Sequence, residues 1–333
     1  MLSAIEYEAS MMNSNGSSIL IDEIKDFPLG FSFVISPTLV QSKRHLIIPH
    51  EDSTWQNGTI GVFDLQKQEL IHVIPVSKSR VTRALVTKNQ KYLLAIGHKR
   101  GSLFYIKVYD IEKDYAFVRK INYPIIGIEE GKAGLYVSFN TPMVGIIDIT
   151  SGKLKKTKKI TEKGVQFVDQ IKFIEKWNAL VAYFDVLNLV MMFDSKLSNV
   201  LSKVYLNTQP NNIFVTWAFQ EGKSLFISFK WESSYVIELV EGELKVVKEI
   251  SPQTVITSME EIPGDGSHKV IRTHFNKSVG IADSFVDTRE EEILVSENAQ
   301  NINWTGVLPQ SKEIVCCDFR EGLVLVMKYQ LIA

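Results

Sequence analysis

Cysteine is almost missing from this chain. The 333 residues hold two, Cys316 and Cys317, side by side. Neighbours in a strand point to opposite faces, so the pair does not bridge and no disulfide framework is available. That fits a reducing compartment, and we expect a cytoplasmic or otherwise intracellular protein. An excess of either charge is also missing. Lys and Arg number 37 and Asp and Glu 38, for a net charge of -1. No global field therefore draws the chain to nucleic acid or to a membrane surface. No run approaches the ~20 apolar residues of a membrane helix, so no membrane span is expected. The opening MLSAIEYEAS lacks a basic region followed by an apolar run and does not read as a secretory leader.

Catalytic and cofactor signatures are absent too. The sequence has no P-loop, no GxGxxG and no serine nucleophile elbow. Its nearest Gly-rich stretch, PGDGS at 263–267, reads as a loop. Six histidines, His45, His50, His72, His98, His268 and His274, show no zinc-type spacing. His268 and His274 flank one strand at an even step, but no Cys, Asp or Glu pattern accompanies them. The expectation is no catalytic residues, no metal and no cofactor.

No segment keeps a helical period over a dozen residues. What recurs is short runs rich in Val, Ile, Phe and Tyr between polar turns, the pattern of an all-β array. The runs repeat as a unit. GVFDLQKQELI (61–71), KVYDIEKDYAF (107–117), GIIDITSGKLK (145–155), MMFDSKLSNVL (191–201), YVIELVEGELK (235–245) and SFVDTREEEIL (284–294) share one plan. An apolar strand leads to an acid, then a polar turn and a more polar strand. The acids are Asp64, Asp110, Asp148, Asp194, Glu238 and Asp287, at intervals of 46, 38, 46, 44 and 49 residues. A period in the mid-forties belongs to four-stranded propeller blades.

Two further strands precede each acid. The second strands run from LII (46–48) to EIVCC (313–317), and the first strands from FSFVI (31–35) to INWTGV (302–307). Both sets number seven. The last unit stops at its third strand, LVLVMKYQLI (323–332), while an orphan strand, SSILIDEI (17–24), precedes the first unit. A ring closes when no edge is left free, so the orphan is expected beside 323–332. The reading is all-β: a seven-bladed β-propeller closed by its N-terminal strand, with a flexible lead at 1–16 and one domain at 17–333.

These repeats resemble the WD-repeat family and the related YVTN-type propellers, GIIDITSGKLK being most like the latter. The resemblance spans residues 17 to 333. It departs from WD repeats in having Phe-Asp, Tyr-Asp or Ile-Asp for the WD dipeptide, and its one Gly-His, Gly97-His98, stands at a second-strand end. It implies a non-catalytic scaffold for protein–protein interaction, since a propeller presents variable loops on a rigid disc. The alternatives are a ligand-binding or lactonase-like hydrolytic propeller, which needs polar groups converging on the central channel, and a subunit docking anionic lipid or nucleic acid. For the hydrolytic alternative, no convergent set is identifiable in the sequence.

The recurring acids read as turn chemistry, because a short carboxylate accepts nearby backbone N–H groups. A basic segment at 153–163 carries Lys153, Lys155, Lys156, Lys158, Lys159 and Lys163 on an outer strand. It reads either as an edge guarded against pairing or as a docking stripe for an anionic partner, with Lys155, Lys156, Lys158 and Lys159 at its centre. REEEI (289–293) is its acidic counterpart. The aromatics Trp217, Phe219, Phe226, Phe229 and Trp231 cluster in the fifth unit, where they read as inter-blade packing, with Trp231 a candidate partner contact.

Overall fold

Burial along the strands explains why this sequence forms them. ALVAYF, at 179–184, is apolar throughout and buried at every position. The chemically different LKKTKK, at 154–159, alternates half-buried with exposed. The first pattern suits a strand covered on both faces; the second suits a strand at the outside of a sheet. A computed structural model describes residues 18–28, 37–51, 58–78, 80–99, 103–207, 214–220, 224–229, 233–250, 256–262, 269–274, 279–282, 292–293, 302–318 and 322–332.

The chain is all-β and its strands are arranged as a β-propeller. The first strand among the described residues is β1 (Ser18–Pro28). The first blade is β2 (Thr38–Val40), β3 (His45–Glu51), β4 (Gly58–Asp64) and β5 (Glu69–Ser77). The second is β6 (Val81–Val86), β7 (Tyr92–Lys99), β8 (Leu103–Asp110) and β9 (Ala116–Ile121). The third is β10 (Ile125–Gly131), β11 (Gly134–Phe139), β12 (Met143–Ile147) and β13 (Leu154–Lys159). The fourth is β14 (Gln170–Ile174), β15 (Ala179–Phe184), β16 (Leu189–Asp194) and β17 (Val200–Tyr205). The fifth is β18 (Phe214–Gln220), β19 (Ser224–Phe229), β20 (Ser234–Val240) and β21 (Glu243–Ile250). The sixth is β22 (Ile256–Ile262), β23 (Lys269–His274), β24 (Val279–Ala282) and β25 (Glu292–Ile293). The chain ends with β26 (Ile302–Leu308), β27 (Glu313–Asp318) and β28 (Leu323–Ile332).

The expected count of seven blades is corrected to six, while the expected pairing of the N-terminal strand with 323–332 is found. Six blades are built from four consecutive strands, whereas the remaining four-stranded sheet is composite, in the order β1-β28-β27-β26. In that sheet β1 fills the outer position beside β28. β1 runs antiparallel to β28 from Ser18 opposite Ile332 to Pro28 opposite Leu323, with one register shift between Ile21 and Glu23.

Each sheet buries an apolar face against the next. Val62 and Tyr109 share one cluster across the first two blades, and Tyr136 and Phe173 stack at 4.9 Å across the third and fourth. The composite sheet is packed on both sides. Met327 and Tyr329 meet Ile262 and Ile271 of the sixth blade, while Val315 and Cys317 meet Leu46 and Ile48 of the first. Both cysteines are therefore core, and burial pushes the Cys316 thiol well up from its ordinary value. The first strands of neighbouring blades lie against one another, β2 by β6, β6 by β10, β10 by β14, β18 by β22 and β22 by β26. They therefore surround the axis, and the fourth strands form the rim.

Candidate functional site

Four of the recurring acids, Asp64, Asp110, Asp148 and Asp194, are turn chemistry. Asp64 Oδ1 accepts the N–H groups of Gln66 and Lys67 at 2.8 and 3.0 Å. Asp110 does the same for Glu112 and Lys113. Asp148 accepts from Ser151, and Asp194 from Lys196, Ser198 and Asn199. Lys155, 2.8 Å from Asp148, and then the Ser151 N–H hold that carboxyl down to about 2. Glu238 departs from the pattern and accepts from the Ser224 hydroxyl at 2.8 Å. Asp287 lies outside the described residues. A register shift falls immediately before the residue preceding the acid in five blades, at Phe63, Tyr109, Ile147, Phe193 and Ile237. Acid and bulge form one unit that turns the third strand into the fourth.

The lysine segment does not form one surface. β13 lies on the rim, as expected, but its side chains divide. Lys156 Nζ donates to Ser198 Oγ at 2.7 Å and Lys158 Nζ to the Ser198 carbonyl at 2.8 Å. Both cross to the fourth blade. Lys155 turns to Asp148 in its own blade. Lys159 is exposed. Alternation along the strand, with a register shift beside Ile147, separates the four. Trp231 lies outside the described residues, as does 289–291 of the acidic segment. Phe226 and Phe229 are core side chains, as the packing reading expects. His268 is likewise outside the described residues.

Sequence reasoning missed a polar chain between the first two blades. His45 Nδ1 lies 2.6 Å from Tyr115 Oη, and His72 Nε2 lies 2.9 Å from Asp114 Oδ1. The Tyr115 ring stands 5.9 Å from the His45 ring and 5.8 Å from the His72 ring. Burial lowers the His45 pKa, and nearby Asp64 offsets part of the effect. In the fourth blade, Asp169 Oδ2 accepts the Asp185 N–H at 2.8 Å. Burial pushes Asp169 up to about 6, and the Asp185 charge adds to it. Neither group makes a metal centre: no cluster of three or more His, Cys, Asp or Glu suited to a metal occurs among the described residues.

The axis is the place where chemistry converges. The cross-strand register of each first strand sets Thr38, Leu85, Glu129, Lys172, Ala218, Glu260 and Gly306 in one layer, the third pairing from the first turn. Leu85, Glu129 and Lys172 are partly exposed and Glu260 is exposed, while Ala84, Val86, Ile128, Ile171, Phe173 and Met259 beside them are buried. This alternation turns the layer toward water in the channel. Arg83, two residues before Leu85, brings Nη2 within 3.8 Å of Glu129 Oε2. Protein surrounds the Glu260 carboxyl and pushes its pKa up to about 7, while the Lys172 ammonium pulls it back down. Water in the channel moderates this shift, because the carboxyl is accessible.

Trp304 completes the layer. Its strand places Gly306 two residues on, and a Cβ there would fall 2.5 Å from Trp304 Cη2 and 2.8 Å from Leu39 Cδ1. Only glycine lets the indole occupy that space. Sequence reasoning identified no such convergent set, because no residue type repeats at this position. The detectable signal was positional: one residue at the same step from each first turn.

No protein-family model matches the chain, and no curated protein matches it. No helix among the described residues is long and apolar enough to cross a membrane.

Proposed function

We propose that the protein is a non-catalytic protein–protein interaction scaffold of the WD-repeat-like propeller type, with the composite sheet serving as a seventh blade closed by the N-terminal strand. The blade count is supported by the packing of the composite sheet, which buries an apolar cluster on each side as the other sheets do. Function is argued from the rim, since the fold alone carries none.

The carrying observation is a set of large apolar side chains left in water on the fourth strands. Phe117 is 58 % exposed on β9, Tyr205 52 % and Leu201 48 % on β17, and Val247 46 % on β21. Singly such residues are ordinary, but their concentration on the outermost strands of several blades suits a partner that grips the rim. The lysines of β13 serve the scaffold mainly from within, by tying the third blade to the fourth.

The test is affinity isolation from the native source, with wild type beside Phe117→Ser and Leu201→Ser/Tyr205→Ser variants. A stoichiometric partner recovered with wild type and lost with either variant supports the reading. Recovery of the same proteins with all three, or of none, overturns it.

A further inference from the structure

The charged channel layer is independent of the rim. Its three charges and the neighbouring Arg83 divide into two pairs of different kinds. Arg83 and Glu129 approach within 3.8 Å and largely neutralise each other. Lys172 and Glu260 come from β14 and β22, with β18 between them in chain order. They are electrostatically coupled, yet among the described residues no ion pair within 4.0 Å joins them. The channel thus holds a cation and an anion that attract each other but do not meet.

β18 contributes Ala218 at this level, a residue too small to bridge two charges. β26 contributes Gly306, whose missing side chain is replaced by the edge of Trp304. Around the layer from Lys172 to Trp304 run an ammonium, a small residue, a carboxyl and an aromatic surface. A simple anion would satisfy Lys172 and face Glu260. A simple cation would satisfy Glu260 and face Lys172. A molecule carrying both charges satisfies both and replaces one long-range attraction with two direct ion pairs.

We propose that the channel binds a small zwitterion of the amino-acid type, its carboxylate on Lys172, its ammonium on Glu260 and its apolar part against Trp304. The exposed position of Glu260 supports this, because a ligand ammonium can reach its carboxyl from the channel. Leu85 adds a second apolar contact in the same layer. The Arg83–Glu129 pair stands beside the site and keeps the remainder of the channel neutral.

The experiment uses the full chain and a defined panel: L-leucine, L-phenylalanine and γ-aminobutyrate, with isoamylamine and isovalerate as single-charge controls. Binding is measured by calorimetry and by the shift in melting temperature. The expected result is millimolar or tighter binding of at least one zwitterion, with both controls about tenfold weaker or worse. Glu260→Gln and Lys172→Met should each weaken the zwitterion about tenfold while circular dichroism stays unchanged. Trp304→Leu should weaken phenylalanine more than γ-aminobutyrate. No zwitterion binding, controls that bind equally well, or binding indifferent to both charge variants would overturn the proposal. If a variant fails to fold, the comparison of zwitterions with controls on wild type decides the matter alone.

Discussion

Arg44 Nη2 donates to both carboxylate oxygens of Glu313, at 2.6 and 2.7 Å, across 269 residues of chain. The bond ties the first blade to the composite sheet. Glu313 is 3 % exposed and also accepts from the Ser311 hydroxyl at 2.7 Å. Removing the arginine would leave a buried carboxylate without its cation. Arg44→Ala is therefore expected to cost about 3 kcal/mol in chemical denaturation, whereas Arg44→Met with Glu313→Met together should recover most of the loss. Equal costs for the single and double variants would show that the pair does not act as a unit.

Asp169 stands raised to about 6 in the folded chain, against 3.8 for an ordinary carboxyl, chiefly through burial. A raised acid binds its proton more readily when folded, so its ionised form opposes folding above about pH 6 and the penalty vanishes below about pH 4. Asp169→Asn keeps an acceptor for the Asp185 N–H and removes the charge. The full shift corresponds to about 3 kcal/mol, and partial exposure reduces the expected gain to about 1–2 kcal/mol near neutral pH. Melting curves should show stabilisation near pH 7.5 and none near pH 4. The same gain at both would remove ionisation as the cause.

Lys158 and Lys159 are neighbours on β13 with opposite duties. Lys158 donates to the Ser198 carbonyl, while Lys159 is exposed. Lys158→Glu would set a carboxylate against that carbonyl and should lower stability by about 1 kcal/mol. Lys159→Glu should change it by less than about 0.5 kcal/mol. Identical effects would return the segment to a uniform solvated edge.

Deleting residues 1–28 removes β1 and frees the edge of β28 along its whole pairing with Ser18–Pro28. Such an edge recruits other chains, so concentration-dependent oligomers are expected in light scattering. Deleting residues 1–15 should leave the particle size and melting temperature unchanged. A monomeric 29–333 fragment that melts like the full chain would show that β1 contributes nothing to closure.

The blade pattern was legible because the turn chemistry demands it. Asp64, Asp110, Asp148 and Asp194 must each accept backbone N–H groups where the third strand turns, so one short acid recurs at a readable interval. The pairing of β1 with β28 was legible for another reason, since the two ends of the repeat were each incomplete in a complementary way. The channel layer was not legible. The fold asks only for extended backbone there, and Leu85, Glu129 and Gly306 answer equally well. Nor was the contact of His45 with Tyr115, whose partners are 70 residues apart and meet only when two blades pack. The division of the lysines follows from the alternation of β13, which sends Lys156 and Lys158 to the fourth blade and leaves Lys159 exposed.

The pairing of β1 with β28 also sets an order of events during synthesis. Roughly 300 residues separate the two strands, and at ~5–20 residues per second the ribosome needs about 15–60 s to make them. Throughout that interval β1 has left the exit tunnel with its intended neighbour unmade. The pairing of β1 with β28 therefore comes late, after every other described strand has been made.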